Sequence, residues 1–151
     1  MGIGGSGMSS IAKYLKQKGY HVEGYDQRIS YITNLLENDG VKTHQKLEDY
    51  SYKKDVLYII SSAINLESTF LKNFKKNRNI ISRPAFFKAL SEEVDIIGIT
   101  GTHGKTSTTA LVSHIFQFNN KNVSFIYGGV SGFGNLGGHY GEKSLPLILE
   151  T

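Results

Sequence analysis

Apolar and polar positions along this chain follow two periods, and the changes from one to the other outline an alternation of strands and helices. Met8, Ile11, Ala12 and Leu15 share one face of a helix that stops at Gly19, and Tyr20 to Tyr25 then reads as a strand. Ile29, Ile32, Leu35 and Leu36 mark a second helix, closed near Gly40 and followed by a short extended piece over Val41 to His44. Asp55 to Ile60 is a near-continuous apolar run of the kind buried in a parallel sheet, and it leads into Ser61-Ser62-Ala63-Ile64. A helix over Glu67 to Lys76, a short strand at Ile80-Ile81 and a helix begun by Pro84 complete a first unit. Hydrophobic commitment is lowest at Ser91-Glu92-Glu93, which is the expected linker. A second unit opens with the apolar run Val94, Ile96, Ile97 and Ile99. Ala110, Leu111, Ile115 and Phe118 then follow at near-helical spacing, with strands expected at Asn122 to Tyr127 and Leu145 to Glu150. The fold class is therefore α/β: a Rossmann-like parallel-sheet domain over 1–91, then the beginning of a P-loop α/β domain over 94–151.

Two glycine turns sit where candidate chemistry is expected. Gly2-Ile3-Gly4-Gly5-Ser6-Gly7 satisfies G-x-G-x-x-G and opens a helix, and Asp26 stands at the end of the next strand. In a dinucleotide fold such glycines let a diphosphate approach a helix N-terminus, while the acid meets a ribose or ring donor. This motif alone also fits a NAD-dependent oxidoreductase. The second turn, Gly101-Thr102-His103-Gly104-Lys105-Thr106, passes from an apolar strand straight into a helix. Its amides and the helix N-terminus favour phosphate, Lys105 would add a full positive charge, and the Thr106 hydroxyl is placed to hold Mg²⁺. A full Walker A motif would need glycine at Ile99, and Gly98 is one residue too early. Glu150, at the carboxyl end of its strand, would lie near this loop and offer magnesium a hard oxygen. The glycine-rich stretch from Gly128 to Gly141 is expected to be either a flexible surface connection or backbone lying close to a ligand.

Composition narrows the class. The chain has 39% hydrophobic and 20% charged residues and no apolar run approaching a membrane span, so a cytoplasmic location with no membrane partner is expected. Cysteine is absent, which removes disulfides, thiolate catalysis and Cys-ligated zinc. The net charge of +4 comes from residues 1–93, where 14 Lys/Arg face 10 Asp/Glu. That field suits an anionic small molecule and is too weak to argue for nucleic acid. The densest basic run, Lys72 to Arg78, alternates with Phe70, Leu71 and Phe74 and reads as the solvated side of an amphipathic helix. The strand that should aim Gly2 is missing and the last strand stops at its functional end, so both ends are expected to be cut.

GIGGSGMSSIA over Gly2 to Ala12, SSAI over Ser61 to Ile64, GTHGKTSTT over Gly101 to Thr109, Gly128-Gly129 and the closing Leu149-Glu150 together resemble the Mur ligase family. The family uses a shortened G-T-x-G-K-[ST] loop without the first Walker glycine. The likeness runs along essentially the whole chain and favours the branch that joins L-alanine to UDP-N-acetylmuramate over the murein-peptide branch. It implies ATP and Mg²⁺ as cofactors and an acyl phosphate intermediate, in peptidoglycan synthesis. By this resemblance Gly101, Thr102, His103, Gly104, Lys105, Thr106 and Ser107 would bind ATP phosphates, with Lys105 and His103 catalytic and Thr106 and Glu150 on the metal. Gly4, Gly5, Ser6, Gly7, Met8, Asp26, Ser62 and Asn135 would bind the UDP-sugar. A non-catalytic nucleotide-binding module is the remaining alternative for a chain of this length.

Overall fold

The computed structural model describes residues 1–46, 53–64 and 79–151; the helix expected over Glu67 to Lys76 and the basic run beside it lie outside the described residues. In the first half, β1 (Glu23–Tyr25) pairs in parallel with β2 (Lys42–His44), and β3 (Tyr58–Ile60) pairs in parallel with β4 (Ile80–Ser82). Residues 1–3 lie between these pairs. The Met1 amine donates to the Ile59 carbonyl, the Ser61 amide donates to the Met1 carbonyl, and the Gly2 and Ile3 amides both donate to the Tyr25 carbonyl. The glycine turn is thus anchored at the carboxyl ends of both pairs, where α/β sheets place their ligands.

Helix α1 (Ser6–Gln17) leaves this turn, α2 (Tyr31–Asn38) follows β1, and α3 (Arg83–Glu93) follows β4. The second half forms one sheet in the order β5-β8-β6-β7, from β5 (Ile96–Ile99), β6 (Ser124–Val130), β7 (Leu136–His139) and β8 (Leu147–Glu150). β5, β8 and β6 are parallel; β6 and β7 form an antiparallel hairpin. The P-loop strand β5 is followed by α4 (Lys105–Phe118).

Two sequence-based expectations change, and one helix packs by a face the sequence did not indicate. Ser91-Glu92-Glu93 is the last turn of α3, so only Val94 and Asp95 separate the helix from β5. The halves are also joined by packing: Met8, Ile11, Tyr14, Phe86 and Leu90 share one core with Ile126, Leu147 and Leu149. A second cluster sets Leu136 of the hairpin against Ile3, Ala12, Leu36 and Val41. Next, the glycine-rich stretch is neither a loose connection nor, over Leu136–His139, a ligand-facing backbone. It is strand β7 laid against α1: a Cβ at Gly138 would come 2.0 Å from the Ser10 carbonyl oxygen, and one at Gly137 would come 2.4 Å from that of Tyr127. Glycine is needed there for close backbone approach. Finally, Leu111, Ile115 and Phe118 are exposed, and α4 meets its sheet through Thr109 and Ser113. Their hydroxyls donate to the carbonyls one turn back, Lys105 and Thr109, so small polar residues can be buried without an unmet donor.

Candidate functional site

Two of the helices begin on serine caps: Ser30 accepts from the Thr33 amide at α2, and Ser82 accepts from the Ala85 amide at α3. The helices that follow the glycine turns have no side-chain cap at all, with Gly5 and Gly104 in the cap positions. Their first-turn amides therefore face outward as donors, the usual arrangement for holding an anion.

At the first turn, Asp26 acts as a strut. Its Oδ2 accepts from the Gly4 amide at 2.8 Å and its Oδ1 from the Arg28 amide at 3.1 Å, so the carboxylate sets the shape of the loop. A Cβ at Gly4 would lie 2.9 Å from that Oδ2. Ser6 is exposed, Gly7 is half-buried, and Met8 turns its side chain into the core, which leaves only its amide on the loop side. Ser62 is exposed in the turn after β3, beside Ser61, which packs on Gly2. Asn135 is exposed in the turn between β6 and β7, where its amide donates to Ser131 Oγ; a Cβ at the adjoining Gly134 would lie 3.3 Å from the Tyr31 hydroxyl of the first half.

At the second turn, Gly101 and Gly104 adopt φ of +150° and +75°, in the region that favours glycine. Thr102, His103, Gly104, Lys105, Thr106, Ser107 and Glu150 line a cavity of about 260 Å³. The Lys105 ammonium donates to the Gly101 carbonyl at 2.9 Å, across the loop it follows, and His103 Nδ1 lies 3.3 Å from the Thr102 hydroxyl. The Thr106 hydroxyl donates to Glu150 Oε1 at 2.7 Å. An alcohol and a carboxylate at this separation form a hard oxygen set of the kind magnesium prefers, so the residues fit that ion.

The two turns meet at Gly128, which the sequence marked as one of a glycine pair without showing what it would touch. The Gly128 amide donates to Glu150 Oε2 at 2.6 Å, and a Cβ at Gly128 would sit 3.3 Å from Ser6 Oγ, 3.6 Å from that Oε2 and 3.8 Å from the Gly7 amide. Gly129 stands next to Thr106 in the same way, at 3.4 Å. A larger cavity, about 360 Å³, lies between Tyr14, Lys18, Val94 and Tyr140 and contains none of these residues.

The family model described as "Mur ligase family, catalytic domain" matches residues 1–95. The UDP-N-acetylmuramate--L-alanine ligase of Cytophaga hutchinsonii is 35% identical over 100% of this chain and 34% of its own length; that of Ruthia magnifica is 34% identical over 100% and 32%. Among solved structures, the UDP-N-acetylmuramate-alanine ligase of Thermotoga maritima is similar, with a TM-score of 0.82 and 27% identity, covering 99% of this chain and 35% of that one. The chain thus spans about a third of the length of the relatives it matches. With the fold, the motif positions and these likenesses in agreement, the chain belongs to the Mur ligase family.

Proposed function

We propose that this chain supplies the UDP-sugar-binding unit and the opening of the ATP-binding unit of an ADP-forming ligase that joins L-alanine to the carboxylate of UDP-N-acetylmuramate. The reading is carried by one observation, the meeting of Ser6 and Gly7 with Glu150 and Thr106 around Gly128. It sets two phosphate-seeking turns close enough to serve one reaction. The names of relatives at 34–35% identity favour L-alanine as the amino acid. The murein-peptide reading rests on a Neisseria structure at 21% identity, which speaks to fold alone.

The chemistry asked of these residues is positioning and charge neutralisation, because phosphoryl transfer needs little covalent help from a protein. The amides of Gly104 to Thr106 and the Lys105 ammonium hold the terminal phosphates of ATP, and His103 contacts them from the loop. The muramate carboxylate attacks the γ-phosphorus and ADP leaves; the amine of L-alanine then attacks the acyl phosphate carbon and expels phosphate. Magnesium, held by Thr106 and Glu150, supplies charge neutralisation at the phosphates when bound. Gly128 keeps Glu150 aimed through its amide. Asp26 holds the first turn open towards the diphosphate, with a contact to the uridine end as a further role.

No helix among the described residues is long and apolar enough to cross a membrane. Catalysis by the 151-residue chain alone is expected to be negligible, since its relatives are about three times longer. Calorimetry with UDP-N-acetylmuramate, MgATP and NADH tests the reading directly. The first two should bind and NADH should not; tight NADH binding without response to UDP-N-acetylmuramate would replace the ligase with an oxidoreductase.

A further inference from the structure

Arg83 entered none of the motifs, yet the fold brings it to the first glycine turn. It is the first residue of α3, fixed between the capping Ser82 and Pro84, and its side chain is exposed. A Cβ at Gly7 would lie 2.4 Å from Arg83 Nη1 and 3.6 Å from its Cζ, so the guanidinium occupies the space that a side chain at position 7 would take. Among the described residues it makes no hydrogen bond and no ion pair. Asp26, the acid of this turn, lies at Gly4 and has both oxygens engaged by the Gly4 and Arg28 amides. An unpaired cation beside outward-facing amide donors is an unfavourable neighbour for them, and the conflict is relieved when an anion sits between the two. A guanidinium presents a planar fork of donors that matches phosphate oxygens two at a time.

From this contact we propose that Arg83 clamps the diphosphate of the UDP-sugar against the Gly4–Met8 turn, as a binding residue supplied by α3. The inference rests on the UDP-sugar reading given above. It names a side-chain charge for a subsite that otherwise consists of backbone amides and the Ser6 hydroxyl. It also accounts for Gly7: any side chain there would push the guanidinium off the turn.

Titration of the 151-residue chain and its Arg83→Ala and Arg83→Lys variants with UDP, UDP-N-acetylmuramate and MgATP tests the assignment. Arg83→Ala should weaken UDP and UDP-N-acetylmuramate alike, by roughly tenfold to a hundredfold, with MgATP affinity unchanged as the check on folding. Arg83→Lys should recover part of that loss, because it keeps the charge and loses the fork. Equal affinity of wild type and Arg83→Ala for UDP would overturn the clamp while leaving the UDP-sugar site in place. A loss seen with UDP-N-acetylmuramate and not with UDP would move the guanidinium to the muramate carboxylate and overturn the diphosphate assignment. Failure of the wild-type chain to bind either uridine nucleotide would remove the site reading and the clamp together. Should Arg83→Ala also lose MgATP, the Arg83→Lys variant decides: UDP affinity equal to wild type then counts against the clamp, and a partial loss confined to the uridine nucleotides supports it.

Discussion

At the first glycine turn, neighbours stand where side chains would be: Asp26 Oδ2 lies 2.9 Å from a Cβ at Gly4, and Arg83 Nη1 lies 2.4 Å from one at Gly7. At the second, a Cβ at Gly104 would meet nothing within 4 Å, and one at Gly101 only the His103 carbonyl oxygen at 3.6 Å; what asks for glycine there is positive φ. Beyond Gly2, which also has φ of +75°, the first turn is held by tertiary contact: the Asp26 carboxylate, 22 positions from Gly4, accepts its amide, and the Arg83 guanidinium, 76 positions from Gly7, lies against it. The second takes its shape from its own backbone. Two glycine turns that each open a helix can therefore be broken by different substitutions, and each should be vulnerable where the other is tolerant.

The largest expected effect is at Lys105. Lys105→Ala removes a charge-assisted phosphate contact and should weaken MgATP binding by on the order of 2–5 kcal/mol, read by calorimetry, with UDP-N-acetylmuramate affinity unchanged. Among the described residues its one protein partner is the Gly101 carbonyl at an exposed position, so the thermal midpoint should hardly move. Asp26→Ala comes next. It strips the Gly4 and Arg28 amides of their acceptor, and urea unfolding should show a loss of about 1–3 kcal/mol with weaker UDP binding. MgATP binding by the folded fraction should stay as it was. Smallest is Gly104→Ala, where an L residue at φ +75° costs roughly 1–2 kcal/mol and should lower MgATP affinity alone. If Asp26→Ala damaged the ATP turn as much as its own, or Gly104→Ala the UDP turn, the contrast between packed and self-shaped loops would be lost.

How far each region was legible follows from the same contrast. The P-loop could be read along the chain because its determinants are local: Gly104, Lys105 and Thr106 are consecutive, and the strand before and helix after them form as expected. Glu150 was reachable as well, since the topology rule for strand ends needs no contact information. Arg83 was not, and Gly128 was legible as part of a motif but not as the place where the two turns meet. Nothing in a window around Arg83 separates it from other exposed arginines; only the pairing of β3 with β4 brings the start of α3 to Gly7. The β6–β7 hairpin escaped for a related reason. Leu136-Gly137-Gly138-His139 lacks the β-branched pattern of a strand, and it is one because Ser10, whose Oγ donates to the Tyr127 carbonyl at 2.6 Å, lets α1 come close to the hairpin. The apolar stripe of α4 gave the right helix but did not say which side meets the sheet: Thr109 and Ser113 are the buried residues, while Leu111, Ile115 and Phe118 are exposed.

The central claim is that two anion-binding turns, shaped by different means, converge on Gly128. Backbone amide shifts of the ¹⁵N-labelled chain, followed through separate additions of UDP-N-acetylmuramate and MgATP, test it most directly. The account predicts that the UDP-sugar moves the amides of Gly4 to Met8, that MgATP moves those of Gly101 to Ser107, and that Gly128 responds to both. A UDP-sugar that leaves Gly4 to Met8 still, or a Gly128 amide indifferent to both ligands, would contradict it.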